Sequence, residues 1–456
     1  MQKWFILALA IAGLPCGGAA DAARPNLIVM IADDLGYGDV SCLTKGAVET
    51  PNLDRLARMG VAFTNGYVTA PLCAPSRAGF YTGRYQQRFG FVSNNDTLPT
   101  DVPLLPGVLR EAGYRTGLIG KWHAGGPLPH ERGCFDETLC SPRPSPFISY
   151  QSPKLARNGA VHDFDEYSTD LFASETEDFI DRNKEKPFAL TIAFNAPHID
   201  RVVKEAGPIH KDFEAARAAG KTYDIPKHPM ARPGEAAAYA DKFPDDTARA
   251  DTVATIAALD QAVGRILDKL QATGLDRSTV VFFFADNGAH PENRSENGPL
   301  RDYKWTHFEG GVRVPFLAAY PEVFPEGLIY AEPVSTLDIF PTIAALAGIQ
   351  PPAGLDGVDL TPYLKREKST PPHEALYFQT GGLVNGAIRD GRWKLVLDKG
   401  EPKLFDLASD VGETTNLADK ERERVATLTE KWQAWKAQMP SPQAKSERKS
   451  ASTSKK

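Results

Sequence analysis

Hydrophobic positions along the chain follow two rhythms. Asn26–Ala32 (N-L-I-V-M-I-A) is a short continuous apolar run rich in β-branched residues, the pattern of a strand buried on both faces. Arg115–Gly120, Pro187–Asn195, Thr279–Phe284 and Val314–Ala319 repeat it. Between these runs the period lengthens. Pro51 opens a helix over Asn52–Met59 that Gly60 ends. Thr247–Ala272 places Val253, Ile256, Leu259, Val263, Ile266, Leu267 and Leu270 on one helical face, and Thr336–Ala347 predicts a further helix. Alternating strands and helices predict an α/β fold, a large mostly parallel sheet sandwiched by helices. Beyond Pro351-Pro352 the pattern shifts to short strands at Ala375–Gln379, Gly386–Arg389, Trp393–Leu397 and Lys403–Leu407, with a helix over Lys420–Met439 after them. These predict a small C-terminal antiparallel sheet with a packed helix. Ile199–Asp246 fits neither rhythm, and long irregular loops of this kind often shape access to a site.

The first residues form a separate segment. Lys3 precedes an apolar run from Trp4 to Leu14, and Gly17-Gly18-Ala19-Ala20 come after it, the three-part pattern of a secretory signal. As a helix the apolar part reaches roughly 15 Å, half of the roughly 30 Å hydrocarbon core of a bilayer. The expected divisions are a signal peptide at 1–22, a large domain at 23–350, a small α+β subdomain at 351–440 and a disordered basic tail at 441–456. The mature protein is expected to be exported, periplasmic or secreted, with no membrane span after signal cleavage.

Composition narrows the choices. A chain of 456 residues, 42% of them hydrophobic, buries a large core without disulfide staples. The net charge of −6 argues against a nucleic-acid binder, the more so because Ser441–Lys456 alone carries five Lys/Arg and one Glu. Of five cysteines, Cys16 leaves with the signal, Cys42 is expected to be buried, and Cys134 and Cys140 lie in a Gly/Pro-containing loop where oxidising export would allow a disulfide. Asn95-Asp96-Thr97 and Asn293-Arg294-Ser295 match glycosylation acceptors of a eukaryotic host.

Candidate chemistry gathers at strand ends, where α/β sheets bind ligands. Asp33-Asp34 come after Ala32, Lys121 and His123 after Gly120, His198 after Asn195, and Asp286-Asn287 after the run ending at Phe284. Each acid or amide alone is an ordinary turn residue. Brought together, each pair of carboxylates at 4 Å would repel by about 4 kcal/mol at an effective dielectric of 20. A hard divalent cation with oxygen ligands, Ca²⁺ or Mg²⁺, relieves that repulsion. The stretch Leu72–Arg84 (L-C-A-P-S-R-A-G-F-Y-T-G-R) adds a thiol. Pro75 at a first helical turn places Cys73 at a helix N-terminus, where anions are favoured, with Arg77 one turn later on the same side.

The C-x-P-S-R core continued by A-G-F-Y-T-G-R resembles the signature of the type I sulfatases of the alkaline phosphatase superfamily. Asp33-Asp34-Leu35-Gly36-Tyr37-Gly38 and Asp286-Asn287-Gly288 are similar to that family's metal motifs, Gly120-Lys121-Trp122-His123 to its G-K-W-H motif, and Ala196-Pro197-His198 to its P-H motif. Lys304, ahead of Glu309-Gly310-Gly311-Val312-Arg313, falls where the family places a catalytic lysine, and Ile388–Leu395 and Leu404–Leu407 are also similar, so the resemblance spans nearly all of the mature chain. The resemblance implies a sulfuric ester hydrolase of arylsulfatase or carbohydrate-sulfatase type. It implies that a formylglycine-generating or maturase enzyme converts Cys73 to formylglycine (3-oxoalanine), whose hydrate is the nucleophile. It also implies a metal, Ca²⁺ with Mg²⁺ as the alternative, held by Asp33, Asp34, residue 73, Asp286 and Asn287. Arg77, Lys121 and Lys304 would neutralise the sulfate, His123 would act as base, and His198 with Lys304 would donate a proton to the leaving alcohol.

The expected substrate is a sulfated carbohydrate or an aryl sulfate. Lys121, His198 and Lys304, with Asp200, Tyr303, Trp305 and His307 and the loop Pro129–Pro153, are the expected substrate contacts. Asp200 stands where the family's P-H-x-P motif has Pro, and Tyr303 and Trp305 flank the lysine where small residues are usual. Two alternatives stand beside this reading: a phosphonate monoester or phosphodiester hydrolase with the same nucleophile and metal, and a non-catalytic binder of sulfated glycans.

Overall fold

The computed structural model describes residues 24–46, 48–143, 147–200, 229–380 and 385–440. The expected signal peptide, the basic tail and most of Ile199–Asp246 lie outside the described residues. Four of the apolar runs are the middle of a ten-stranded sheet: β1 (Asn26–Ala32), β4 (Arg115–Gly120), β8 (Phe188–Ala193) and β9 (Thr279–Ala285), all parallel and almost wholly buried. The remaining strands are β2 (Val61–Phe63), β5 (Glu137–Cys140), β6 (Lys154–Arg157), β7 (Ala160–Asp163), β10 (Phe316–Ala319) and β11 (Leu328–Tyr330), in the order β11-β2-β10-β9-β1-β8-β4-β5-β6-β7. The centre is parallel as expected. β10 runs antiparallel to β9, and β6 and β7 close one edge as an antiparallel hairpin. A two-stranded piece, β3 (Gly66–Tyr67) with β12 (Val334–Ser335), lies outside it.

The alternation of side chains along a strand divides the core into two layers. Ile28 and Met30 pack on one face with Leu259, Val263 and Ile266 of helix Thr247–Ala272 and with Phe172 and Phe179 of helix Ser168–Asn183. Leu27, Val29 and Ile31 pack on the other with Ala78 and Phe80 of helix Cys73–Thr82, Leu109 and Phe340. Helix Thr247–Ala272 has its predicted limits, and Asp246 caps it by accepting from the Arg249 N–H at 2.9 Å.

Register positions the site. Ala32 pairs with Ala285, Ile31 with Ala193, and Gly120 with Ala193. The carboxyl ends of β1, β4, β8 and β9 therefore stop together, and the residues just after each strand are delivered to one edge.

The C-terminal strands are β13 (Ala375–Gln379), β14 (Gly386–Asp390), β15 (Trp393–Asp398) and β16 (Glu401–Asp406), an antiparallel sheet. Helix Arg422–Lys436, shorter than the predicted Lys420–Met439, covers it through Leu428, Trp432 and Trp435.

Cys134 and Cys140 are free thiols, so the disulfide that their loop and export would allow is not formed. The Cys134 carbonyl accepts from Thr116 at the start of β4, whereas Cys140 pairs with Gly120 at its end. About 13 Å of strand separates those two positions, beyond disulfide reach. Cys42 is partly buried. No helix among the described residues is long and apolar enough to cross a membrane.

Candidate active site

Cys73 is the first residue of helix Cys73–Thr82 and is buried. Its Sγ lies 3.6 Å from Asp33 Oδ1 and 3.9 Å from Asp34 Oδ1. Burial, and to a smaller extent Asp286 and Asp33, push the thiol far above its ordinary pKa despite Lys121 and Lys304. Arg77, one turn along, donates from Nε to Asp286 Oδ2 at 2.8 Å and from a terminal nitrogen to the Lys121 carbonyl at 2.7 Å. Lys121 ion-pairs with Asp33, and Lys304 Nζ reaches Asp34 at 2.6 and 2.8 Å. Asp33, Asp34, Arg77, Lys121, Asp286 and Asn287 are all fully buried.

Three carboxylates thus face three cations, and the repulsion expected from the acids alone is already opposed within the protein. Burial and Asp33 raise the pKa of Asp286 against the pull of Arg77. Burial alone would lower the pKa of Lys304, but Asp34 and its neighbours hold it above the ordinary lysine range.

The histidines differ. His198 Nδ1 donates to the Ile199 carbonyl at 2.9 Å, which leaves Nε2 facing Asp34 Oδ2 at 3.6 Å. His123 is pushed well below its ordinary pKa by burial and then by Lys121, Arg77 and Lys304, so it is neutral at pH 7, and its Nδ1 is buried without a hydrogen-bond partner among the described residues. Asp34 (φ 63°), His123 (φ 46°) and Trp305 (φ 78°) hold left-handed backbone, where strain of about 1–3 kcal/mol per residue is tolerated chiefly at functional sites.

The cluster suits a metal. Ligand atoms of Asp33, Asp34, Cys73 and His198 lie within 4.8 Å of one another. Asn287 donates to Asp34 Oδ1 at 2.7 Å while its own Oδ1 is buried with no hydrogen-bond partner among the described residues. An oxygen-rich donor set with an orphaned amide oxygen fits a hard divalent cation.

The expected substrate contacts divide into two groups. Trp305 stands against His290 with ring centroids 4.5 Å apart, and its backbone N–H donates to the Pro71 carbonyl near Cys73. Tyr303 stacks edge-on against Trp305. Asp200 accepts from Ser149 Oγ at 3.1 Å, and Phe147 of the Pro129–Pro153 loop packs on the His198 ring at 5.4 Å. His307 turns instead towards the C-terminal sheet, where Nε2 meets Thr380 Oγ1 at 3.3 Å, and burial with Lys394 lowers its pKa to about 3.

Several residues at the site are not legible in the sequence. Asn293 is fully buried and donates to the carbonyls of Pro197 at 2.9 Å and Asp34 at 3.3 Å, so its sequon is structural. Tyr150 donates to the carbonyls of Asn195 and His198, fixing the loop that carries His198. Asn94 accepts the Ala74 N–H next to Cys73. None has a local pattern that distinguishes it from a turn residue. His290, three positions after Asn287, has such a signal in its proximity to the metal motif.

A doubly wound sheet that delivers paired acids, a helix-terminal cysteine and three buried cations to one edge defines a class, and the chain belongs to it. Residues 25–349 match the Sulfatase family and residues 300–438 match N-sulphoglucosamine sulphohydrolase, C-terminal. The protein is a type I sulfatase of the alkaline phosphatase superfamily, arylsulfatase- and carbohydrate-sulfatase-like, and a sulfuric ester hydrolase.

Among its relatives, arylsulfatase A of Bos taurus is 31% identical over 92% of this chain and 87% of that protein. N-acetylgalactosamine-6-sulfatase of Canis lupus familiaris is 32% identical over 78% of this chain and 69% of that protein. The crystal structure of Ps i-CgsB in complex with k-i-k-neocarrahexaose has a TM-score of 0.80 at 29% identity, covering 92% of this chain and 94% of that one.

Proposed function

We propose that the protein is an exported sulfatase that hydrolyses sulfate esters of sugars or polysaccharide fragments, working with formylglycine at position 73 and Ca²⁺. The observation that carries this reading is the meeting of the Cys73 side chain with Asp33 and Asp34, ringed by Arg77, Lys121 and Lys304. Asp33, Asp34, Asp286, Asn287 and residue 73 would hold the cation, and His198 lies close enough to join or neighbour them. When bound, the cation supplies fixed positive charge that polarises a sulfate oxygen and lowers the pKa of a hydroxyl. The modified residue 73 supplies that hydroxyl.

The remaining chemistry belongs to side chains. Three acids balance three bases here, so a divalent cation leaves the pocket net positive and receptive to an anion. Lys121 and Lys304 are placed to turn from the aspartates to sulfate oxygens, stabilising charge that grows during attack. Arg77 stays on Asp286, fixing that carboxylate. Neutral His123 suits a general base, and His198 Nε2 with Lys304 suits proton donation to the leaving alcohol. Trp305 and Tyr303 offer ring faces or edges to a sugar or aryl group.

The sugar preference draws support from the N-acetylgalactosamine in the name of one relative and the neocarrahexaose bound in the similar crystal structure. Export, and a leader at 1–22 ahead of a catalytic domain at 23–350, rest on the apolar run Trp4–Leu14. The test compares turnover of a sulfate monoester and a phosphate diester of one leaving group, and then of regiodefined sulfated monosaccharides. Faster sulfate release is expected. Preference for the diester would replace this reading with a phosphodiesterase, and metal-dependent glycan binding without turnover would replace it with a binder.

A further inference from the structure

Lys304 lies in the middle of a loop whose two ends come together. The Gly310 N–H donates to the Arg301 carbonyl at 2.7 Å, closing the neck. The upper part of the loop is stitched to the site, since Lys304 N–H donates to the Ala289 carbonyl and Trp305 N–H to that of Pro71. A Cβ on Gly288 would collide with the Gly310 carbonyl, so the loop also lies directly against the Asp286-Asn287 turn.

The underside of the loop is held from another part of the fold. Glu413, beyond β16, is fully buried and grips both ends at once. Its Oε2 accepts the Glu309 N–H at 2.7 Å, and its carbonyl accepts from the Arg301 guanidinium at 2.7 Å. Lys394 on β15, also fully buried, completes the arrangement by pairing with Glu309 at 2.7 Å and Glu413 at 3.3 Å. Glu309 meets Tyr67 Oη at 2.7 Å and Arg313 at 3.2 Å through its other oxygen. Well-packed apolar residues commonly match or exceed the stability of such a buried ion cluster, so stability is a poor reason for building one here. A fixed geometry is a better one, because each charge accepts a narrow set of partners.

We infer that Glu413, with Lys394, is a positioning residue that sets the height of Lys304 over the sulfate site from the C-terminal sheet. This rests on the sulfatase reading above. The C-terminal sheet is then part of the catalytic apparatus without touching substrate. Glu413 acts through the loop neck, and Lys304 acts on the ester.

The experiment uses the full, metal-loaded, Cys73-matured enzyme. Glu413→Ala removes the carboxylate that accepts the Glu309 N–H but keeps the backbone carbonyl that Arg301 reaches, Glu413→Gln keeps an acceptor for the Glu309 N–H, and Arg301→Gln loosens the other end and stands in should Glu413→Ala fold poorly. A displacement near 1 Å costs about 10²-fold in rate. Glu413→Ala or Arg301→Gln should therefore lower kcat by about that factor with KM little changed, more for an alkyl or sugar sulfate than for a nitrophenyl sulfate. Glu413→Gln should recover most of it. In a Lys304→Ala background the same substitutions should have little further effect, and amide hydrogen exchange at Lys304 and Trp305 should quicken in Glu413→Ala. Unchanged kcat in folded variants, or an equal loss with and without Lys304, would overturn the assignment. A wild-type enzyme with no sulfate-ester turnover would overturn the sulfatase reading instead, and the two failures are distinguishable.

Discussion

Two clusters of buried charge, one at the junction with the C-terminal sheet and one around Cys73, are finished differently. At the junction, Glu309 and Glu413 share Lys394, and the carboxylates meet donors or cations on several sides. Around Cys73 the charges also balance, yet Asn287 Oδ1 and His123 Nδ1 are left without hydrogen bonds among the described residues. The first cluster leaves Glu413 Oε1 without a hydrogen bond among the described residues, facing Lys394 Nζ at 3.3 Å. The second keeps two such atoms, an amide oxygen and a ring nitrogen, at a cost in desolvation. Balance of charge therefore does not separate structure from function here; the clusters differ in which atoms are left over, a carboxylate oxygen facing a lysine at the junction and an amide oxygen and an imidazole nitrogen around Cys73.

The largest expected effect breaks the comparison at the thiol. Cys73→Ala should lower sulfate-ester turnover by about 10⁴-fold or more while leaving thermal stability near that of wild type, since the Cys73 thiol makes only long polar contacts. Steady-state rates with parallel melting curves check it.

The two buried lysines should separate next. Lys394→Met leaves Glu309 and Glu413 facing each other without their shared cation and should cost about 3–5 kcal/mol in denaturant unfolding. Lys121→Met in the metal-loaded enzyme should cost less than half as much, because a cation beside Asp33 takes over its charge, yet lower kcat by about 10²-fold or more. Equal stability losses would erase the distinction between the clusters.

Metal addition sharpens it further. Ca²⁺ at about 100 times its Kd should stabilise the protein by about 2.7 kcal/mol. Asp34→Asn should abolish that gain and Lys394→Met should leave it intact, as read from melting temperature with and without chelator.

The smallest effect is titration of the junction. Burial raises Glu413 to about 7 against the opposing pull of Lys394, above the ordinary carboxyl value of about 4.3. Between those values the folded state binds more protons than the unfolded one, so this contribution to stability is present at low pH and is lost as pH rises through about 7. Glu413→Gln should flatten that part of the stability profile.

Much of the site can be read from the sequence because it is local. Asp33-Asp34, Lys121, His123 and Asp286-Asn287 each lie within a few residues of the end of an apolar run, and parallel register carries strand ends to one edge. The runs Asn26–Ala32 and Arg115–Gly120 and the helix Thr247–Ala272 have their predicted limits because period and burial agree there. The illegible part is non-local. Short strands such as β2 and β11 owe their pairing to β10 and to each other. Glu413 lies 104 positions from Glu309 and in a turn rich in ordinary polar residues, so nothing near it announces a clamp on Lys304. Spacing from Lys304 puts His307 at the substrate, but the loop turns it to Thr380 and Lys394. Asn293 resembles a glycan acceptor only because a sequon carries no information on burial.

The most direct measurement is the mass of the peptide spanning residue 73, taken from enzyme whose turnover of a sulfate ester has been recorded in the same preparation. The predicted result is an aldehyde in place of the thiol, with activity rising in proportion to the converted fraction. Full activity from protein whose Cys73 is wholly unconverted would contradict it.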